Sequence, residues 1–189
     1  MTEIKFEKKK TIWPWLLGIG FLAAIIYLLY TLTTLKEENT RSAELINVKE
    51  NNGPVKEFVT FVNNDSNKMT LDHTYTSQAL LKLSAATKAI ADKINYDTNA
   101  DLDKVNDYAG KITNDPIETT HADNIRRAAD TLSTLIEHVQ QVKYPALRAE
   151  AGELRKAAAS INPDVLTLDQ KNAVKSFFSK AAALLEKIN

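Results

Sequence analysis

Thr167–Asn189 reads TLDQKNAVKSFFSKAAALLEKIN, and its spacing decides the fold class. Val174, Phe177, Phe178, Ala181, Leu184, Leu185 and Ile188 recur at steps of three and four, the period that places them along one narrow face of an α-helix. Thr167 and Gln170 stand three apart just before that stripe, the spacing of a capping box. An apolar stripe on a helix has to be covered. Phe177, Phe178, Leu184 and Leu185 either close a bundle or are offered to a partner, and closure is the preferred reading because the other helices need that surface themselves.

The same period runs back through the chain. Leu147, Ala151, Leu154, Ala158 and Ile161 form a stripe that Asn162 and Pro163 terminate, and Tyr144 and Pro145 separate it from a long helix running from Thr120 to Lys143. That helix carries Ala122, Ile125, Ala129, Leu132, Ile136 and Val139, and Thr120 with Asp123 forms a capping signal at its start. A shorter helix holds Leu102, Val105, Ala109 and Ile112, with Asp101 and Asp103 suited to the positive end of its dipole. Before the Asn95–Ala100 loop lies a helix over about Met69–Ile94, with Leu80, Leu83, Ala86, Thr87, Ile90 and Ile94 in register. Pro54 opens a segment in which Val55, Phe58, Val59 and Val62 follow helical spacing, a strand at FVTFV being the alternative. Short connections make successive helices antiparallel. The expected fold is therefore all-α, an up-down bundle of four to five helices over residues 54–189. An offset of 48 residues relates His73 to His121 and Tyr96 to Tyr144; a duplicated hairpin and coincidence both account for it.

Ahead of the bundle, Thr11–Leu35 is an uncharged run of 25 residues, TIWPWLLGIGFLAAIIYLLYTLTTL. As a helix it would reach about 37 Å, enough to cross a hydrocarbon core of about 30 Å. Lys8, Lys9 and Lys10 precede it, and basic flanks stay in the cytoplasm. Trp13 and Trp15 fall at the inner boundary, Tyr27 and Tyr30 near the outer one. The run is longer than a secretory apolar core, and its exit YLLYTLTTLKEE has no small-residue cleavage site. These features predict a cytoplasmic tail over residues 1–11, a signal anchor in the lipid bilayer over 12–35, a polar linker over 36–53 and an exported bundle over 54–189. The protein is then a single-pass protein of a bacterial inner membrane, with the bundle periplasmic or extracellular. Gly20 and Ala24, four apart, form a small-xxx-small face through which two anchors would dimerise.

The chain has 24 basic and 24 acidic residues. Without the first eleven residues, which hold four Lys and two Glu, the balance is 20 against 22, which gives no electrostatic reason to bind nucleic acid. The absence of cysteine removes disulfides and thiolate metal sites. Imidazole is limited to His73, His121 and His138. In an up-down order the two long helices run parallel, which brings His73 and His121 to one end with Asp72 and Asp123 beside them, a set able to ligate a divalent metal. Against this stand the absence of H-x-x-x-H, E-x-x-H and C-x-x-C-H spacings and the simpler reading that both histidines sit in exposed first turns. His138 lies off its helix's apolar stripe and is read as solvated. No serine stands in a G-x-S-x-G setting and no glycine-rich phosphate loop exists.

No cofactor is expected. The sequence reads as a non-catalytic interaction or scaffold module of the envelope, with an envelope protein as partner and a second copy of the chain as the other candidate. A ligand- or metal-sensing bundle is the alternative, and an enzyme built from dispersed residues comes third. In architecture the chain resembles bacterial sensory and envelope proteins, without a motif that assigns a family.

Overall fold

The computed structural model describes residues 52–64, 73–114 and 121–189, all within the unit Ser42–Asn189. The anchor run 12–35 with its Trp13, Trp15, Tyr27, Tyr30 and Gly20–Ala24 face, the preceding Lys8, Lys9 and Lys10, and Asp72 and Thr120 lie outside the described residues. No helix among the described residues is long and apolar enough to cross a membrane.

Six α-helices make up the described structure: α1 (Gly53–Asn64), α2 (His73–Asp92), α3 (Asn99–Asn114), α4 (His121–Lys143), α5 (Arg148–Ala159) and α6 (Lys171–Ile188). Two 3₁₀ turns, Pro145–Leu147 and Thr167–Gln170, lead into α5 and α6. The count is six rather than four to five because both twelve-residue helices, α1 and α5, bury full apolar faces of their own. FVTFV is helical, with Phe58 and Val62 inside the core. Each helix packs against the next, α6 returns to α1, and α2 also touches α4.

Side-chain pairs fix the directions. Phe61 stacks on Tyr75, whose hydroxyl donates to the Phe61 carbonyl at 2.8 Å, while Glu57 pairs with Lys82 further along. Positions falling in α1 thus meet positions rising in α2, which is an antiparallel pair. Ser77 donating to the Ala109 carbonyl and Lys88 donating to Asn99 repeat the pattern for α2 and α3. The first and last helices close the ring, since the Asn52 N–H donates to Asn189 Oδ1 at 2.6 Å.

The connections explain where the helices stop. The turn that follows α2 places Asn95 at φ 53°, in the left-handed region that asparagine tolerates better than most residues. The Tyr96 N–H then reaches the Ala91 carbonyl and the Asn95 N–H reaches Asp92, satisfying carbonyls that the helix end would orphan. After α4, Gln140 donates to the Tyr144 carbonyl and Pro145 begins the 3₁₀ turn. Before α6 the expected capping box does not form. No side chain caps the 3₁₀ turn or the helix, and Thr167 is buried. Gln170 instead ties down the preceding loop, donating to the carbonyls of Asn162 and Val165 and accepting from the Asn162 N–H. With Pro163 in that loop, these backbone groups have no helix to join, and the long amide side chain supplies their partners.

The stripes read from periodicity form one core. Phe58, Phe177, Phe178, Leu80, Leu83, Ile125, Leu132, Ile136 and Leu154 are buried almost to completion, and Phe177 and Phe178 pack edge to face at 5.2 Å. Many remaining core positions are alanine, among them Ala79, Ala86, Ala109, Ala129, Ala158 and Ala181, which brings helix backbones close together. Ile94 is the exception to its stripe: it lies beyond the end of α2 and is only partly buried.

Ion pairs line the outer seam between α5 and α6. Lys187 donates to Glu150 at 2.6 Å, and Lys156 and Lys180 both reach Glu153. The Lys187 contact, helped by a backbone hydrogen bond, holds the Glu150 carboxyl below the usual range, and Lys156 followed by Lys180 does so for Glu153. A depressed carboxyl adds stability above its unfolded value, about 4.3 for glutamate, and loses it as pH falls through the folded value. Thermal melting should therefore weaken on acidification below that point. In a Lys180→Met, Lys187→Met variant the acid-induced drop should be shallower, by a modest margin because the pairs are solvated. Identical pH profiles for variant and parent would show that the seam contributes nothing.

Candidate functional site

Two regions concentrate polar chemistry on this bundle. The first is its end opposite Asn52, where α2 and α4 begin side by side. His73 and His121 are the first residues of those helices, and their rings meet edge to face with centroids 4.2 Å apart. The parallel alignment expected for the long helices thus holds. The exposed first-turn reading does not: His121 is completely buried and His73 partly so. The cause is the α2–α4 contact, which buries the start of α4 together with Ala122 and Asn124.

Of the two carboxylates expected beside the histidines, Asp72 lies outside the described residues. Asp123 pairs with Arg127 one turn along its own helix at 3.0 Å. Arg127 in turn is held in its charged form by Asp123 first and by Tyr108 of α3. Among the described residues no group of three or more His, Asp or Glu side chains gathers around a common point that would hold a metal ion. The third histidine, His138, is exposed, as its position off the stripe implies, and its ring lies 4.2 Å from that of Tyr96. Tyr96 and Tyr144, paired by the 48-residue offset, differ in setting: Tyr144 is buried and Tyr96 partly exposed.

The second region is the outer surface, which carries shallow grooves between helices. One, of about 480 Å³, runs over α4 between Tyr96, Asp101, Arg126, Asp130 and Arg155. Its polar groups serve the fold. Arg126 pairs with Asp130 at 2.7 Å and donates to the Ala159 and Ile161 carbonyls, closing the C-terminal end of α5. Arg155 donates to the Asp130 carbonyl and to Ser133 and Thr134. These two arginines join α4 to α5, a role that periodicity does not reveal because arginine on a polar face reads as solvated.

Another groove, of about 560 Å³, separates α1 from α6 and is lined by Lys56, Val59, Thr60, Asn63, Asn64, Glu186 and Asn189. A neighbouring hollow of about 460 Å³ lies on the α2 side of α1 and shares Lys56, Thr60 and Asn64 with it. Here the side chains of Lys56, Thr60, Asn63, Asn64 and Glu186 make no hydrogen bond or ion pair with other described residues.

The chain matches no known protein-family model, no curated protein and no solved structure.

Proposed function

We propose that this protein is a membrane-anchored helical module of the bacterial cell envelope that works by binding a protein partner rather than by catalysis. The observation that carries this reading is how the bundle uses its interior. Most of its large aromatic and aliphatic side chains are buried in one continuous core, and inward-facing Ser77, Tyr75 and Gln140 donate to backbone carbonyls. Binding chemistry then falls to the exterior, where broad helical faces and open grooves suit a macromolecular partner.

The anchor reading rests on the basic tail before the uncharged run. It gives a cytoplasmic N-terminus, a span over residues 12–35 and an exported bundle, with the Gly20–Ala24 face available for a homodimer.

Photo-reactive residues placed singly at exposed Thr60, Asn106, Thr134 and Ser179 in cells should trap a discrete envelope protein from at least one face. Absence of any adduct at all four sites, with the protein present at normal level, would overturn the interaction reading.

The contact between His73 and His121 favours one second reading, a sensor in which these imidazoles supply two ligands to a metal or small molecule. Elemental analysis of the purified protein separates the two. Stoichiometric metal that disappears in a His73→Ala, His121→Ala variant would replace the scaffold reading.

A further inference from the structure

The geometry points to the groove between α1 and α6 as a binding site for a short extended polypeptide segment that carries neighbouring acidic and basic side chains. This rests on the interaction reading above and names its surface. The groove differs from the one over α4 in carrying side chains that the fold leaves unpaired. Over α4, Arg126, Arg155, Asp101, Thr131 and Thr134 are all engaged within the bundle. Beside α1, the Lys56 ammonium, the Glu186 carboxylate, the Thr60 hydroxyl and the Asn63 and Asn64 amides have no partner among the described residues.

The arrangement selects the ligand class. Lys56, Thr60 and Asn64 stand at i, i+4 and i+8 along α1 and so form one ridge, inclined by about 26° to the helix axis, at the edge of the groove. Eight residues of helix span about 12 Å, which matches three to four residues of extended chain at about 3.3 Å each. Carboxamides present a donor and an acceptor side by side, the complement of a peptide group. Asn63 and Asn64 therefore suit the ligand's backbone at the end of α1. Lys56 from α1 and Glu186 from α6 supply one charge of each sign toward the end at Asn189, which favours a segment bearing both charges.

Other classes fit less well. A phosphate backbone would meet Glu186. A single carboxylate is a poor ligand set for a hard cation. Among the described residues no aromatic ring lines the groove, and the nearby Phe61 face is already stacked on Tyr75, so a sugar finds no apolar platform there.

The test uses the full-length protein in detergent micelles and an arrayed library of random octapeptides. Enriched peptides should contain an adjacent acidic and basic residue. Their affinity, read by fluorescence polarisation, should fall at least about tenfold in Lys56→Glu and in Glu186→Lys. The double exchange should recover binding to peptides with the two charges in reversed order. An Asn63→Ala, Asn64→Ala variant should weaken all selected peptides alike, because backbone pairing carries no side-chain preference. Unchanged helical circular dichroism and melting confirm that the variants fold, as expected for exposed or half-exposed positions. Two results would overturn the site: no enrichment over a Thr60→Trp variant that fills the groove, or selected peptides insensitive to both charge reversals. Cellular cross-links from Ser179, Asn106 or Thr134 without any from Thr60 would likewise remove the groove, while leaving the interaction reading in place.

Discussion

Phe177→Ala should cost this protein about 3 to 5 kcal/mol of stability, the usual price of emptying a buried phenylalanine site. Phe177 has no exposed surface, packs edge to face on Phe178, and lies on the helix that closes the ring against α1 and α5. The loss combines the transfer of the ring to water with the cavity left among neighbours that relax only in part. For a domain of this size the melting temperature should fall by roughly 10 to 20 °C. Val142→Ala is the matched control. Val142 is 59% exposed although it is as apolar as its core neighbours, and its truncation should stay within about 0.5 kcal/mol. Thermal unfolding followed by circular dichroism measures both. Comparable small shifts for the two variants would mean that α6 does not close the core.

The second large effect concerns the proposed anchor. Ala23 and Ala24 fall at the middle of the run 12–35, where an arginine opposes insertion by about 2.5 to 3.5 kcal/mol. An Ala23→Arg, Ala24→Arg variant therefore faces a combined penalty of about 5 to 7 kcal/mol and should leave the membrane fraction. The expected readout is a shift of the bundle from alkali-resistant membrane pellet to supernatant, with loss of protease sensitivity in spheroplasts because the bundle is no longer exported. Retention of the double variant in the pellet would overturn the anchor reading. Protection of the parental bundle from external protease would overturn the orientation. Deeper in the chain the same substitutions would say nothing, since insertion depends on the apolar run alone.

The two candidate regions lie at different places on the bundle. Asn52, just before α1, and Asn189, just after α6, meet at one end of the bundle, and the histidine pair lies at the other. The groove beside α1 runs between those ends.

Much of the fold was legible because helical period is a local property. Leu102, Val105, Ala109 and Ile112 need only their own spacing to define a buried face, and all four are buried; the same holds for the stripes of α4, α5 and α6. The parallel placement of the two long helices followed from short connections, and with it the meeting of His73 and His121. Burial of His121 was not legible, because it depends on how closely α2 approaches α4, two segments separated by a whole helix. Gln170 was misread for a related reason. Its spacing from Thr167 matches a cap, but once the loop folds back the Asn162 N–H takes its side-chain oxygen and the Asn162 and Val165 carbonyls take its NH2 group.

By itself the sequence determined the helical class, the inward faces and the apolar run ahead of the bundle, all consequences of the residues within one or two turns. Tertiary structure decided which polar side chains are consumed and which are left over. Arg126 and Arg155 are consumed because α4 and α5 place backbone carbonyls within their reach. Lys56 and Glu186 are left over because α1 and α6 set them on opposite walls of an open groove. Whether a charge is satisfied depends on what distant segments bring to it, and periodicity along one helix holds no record of that.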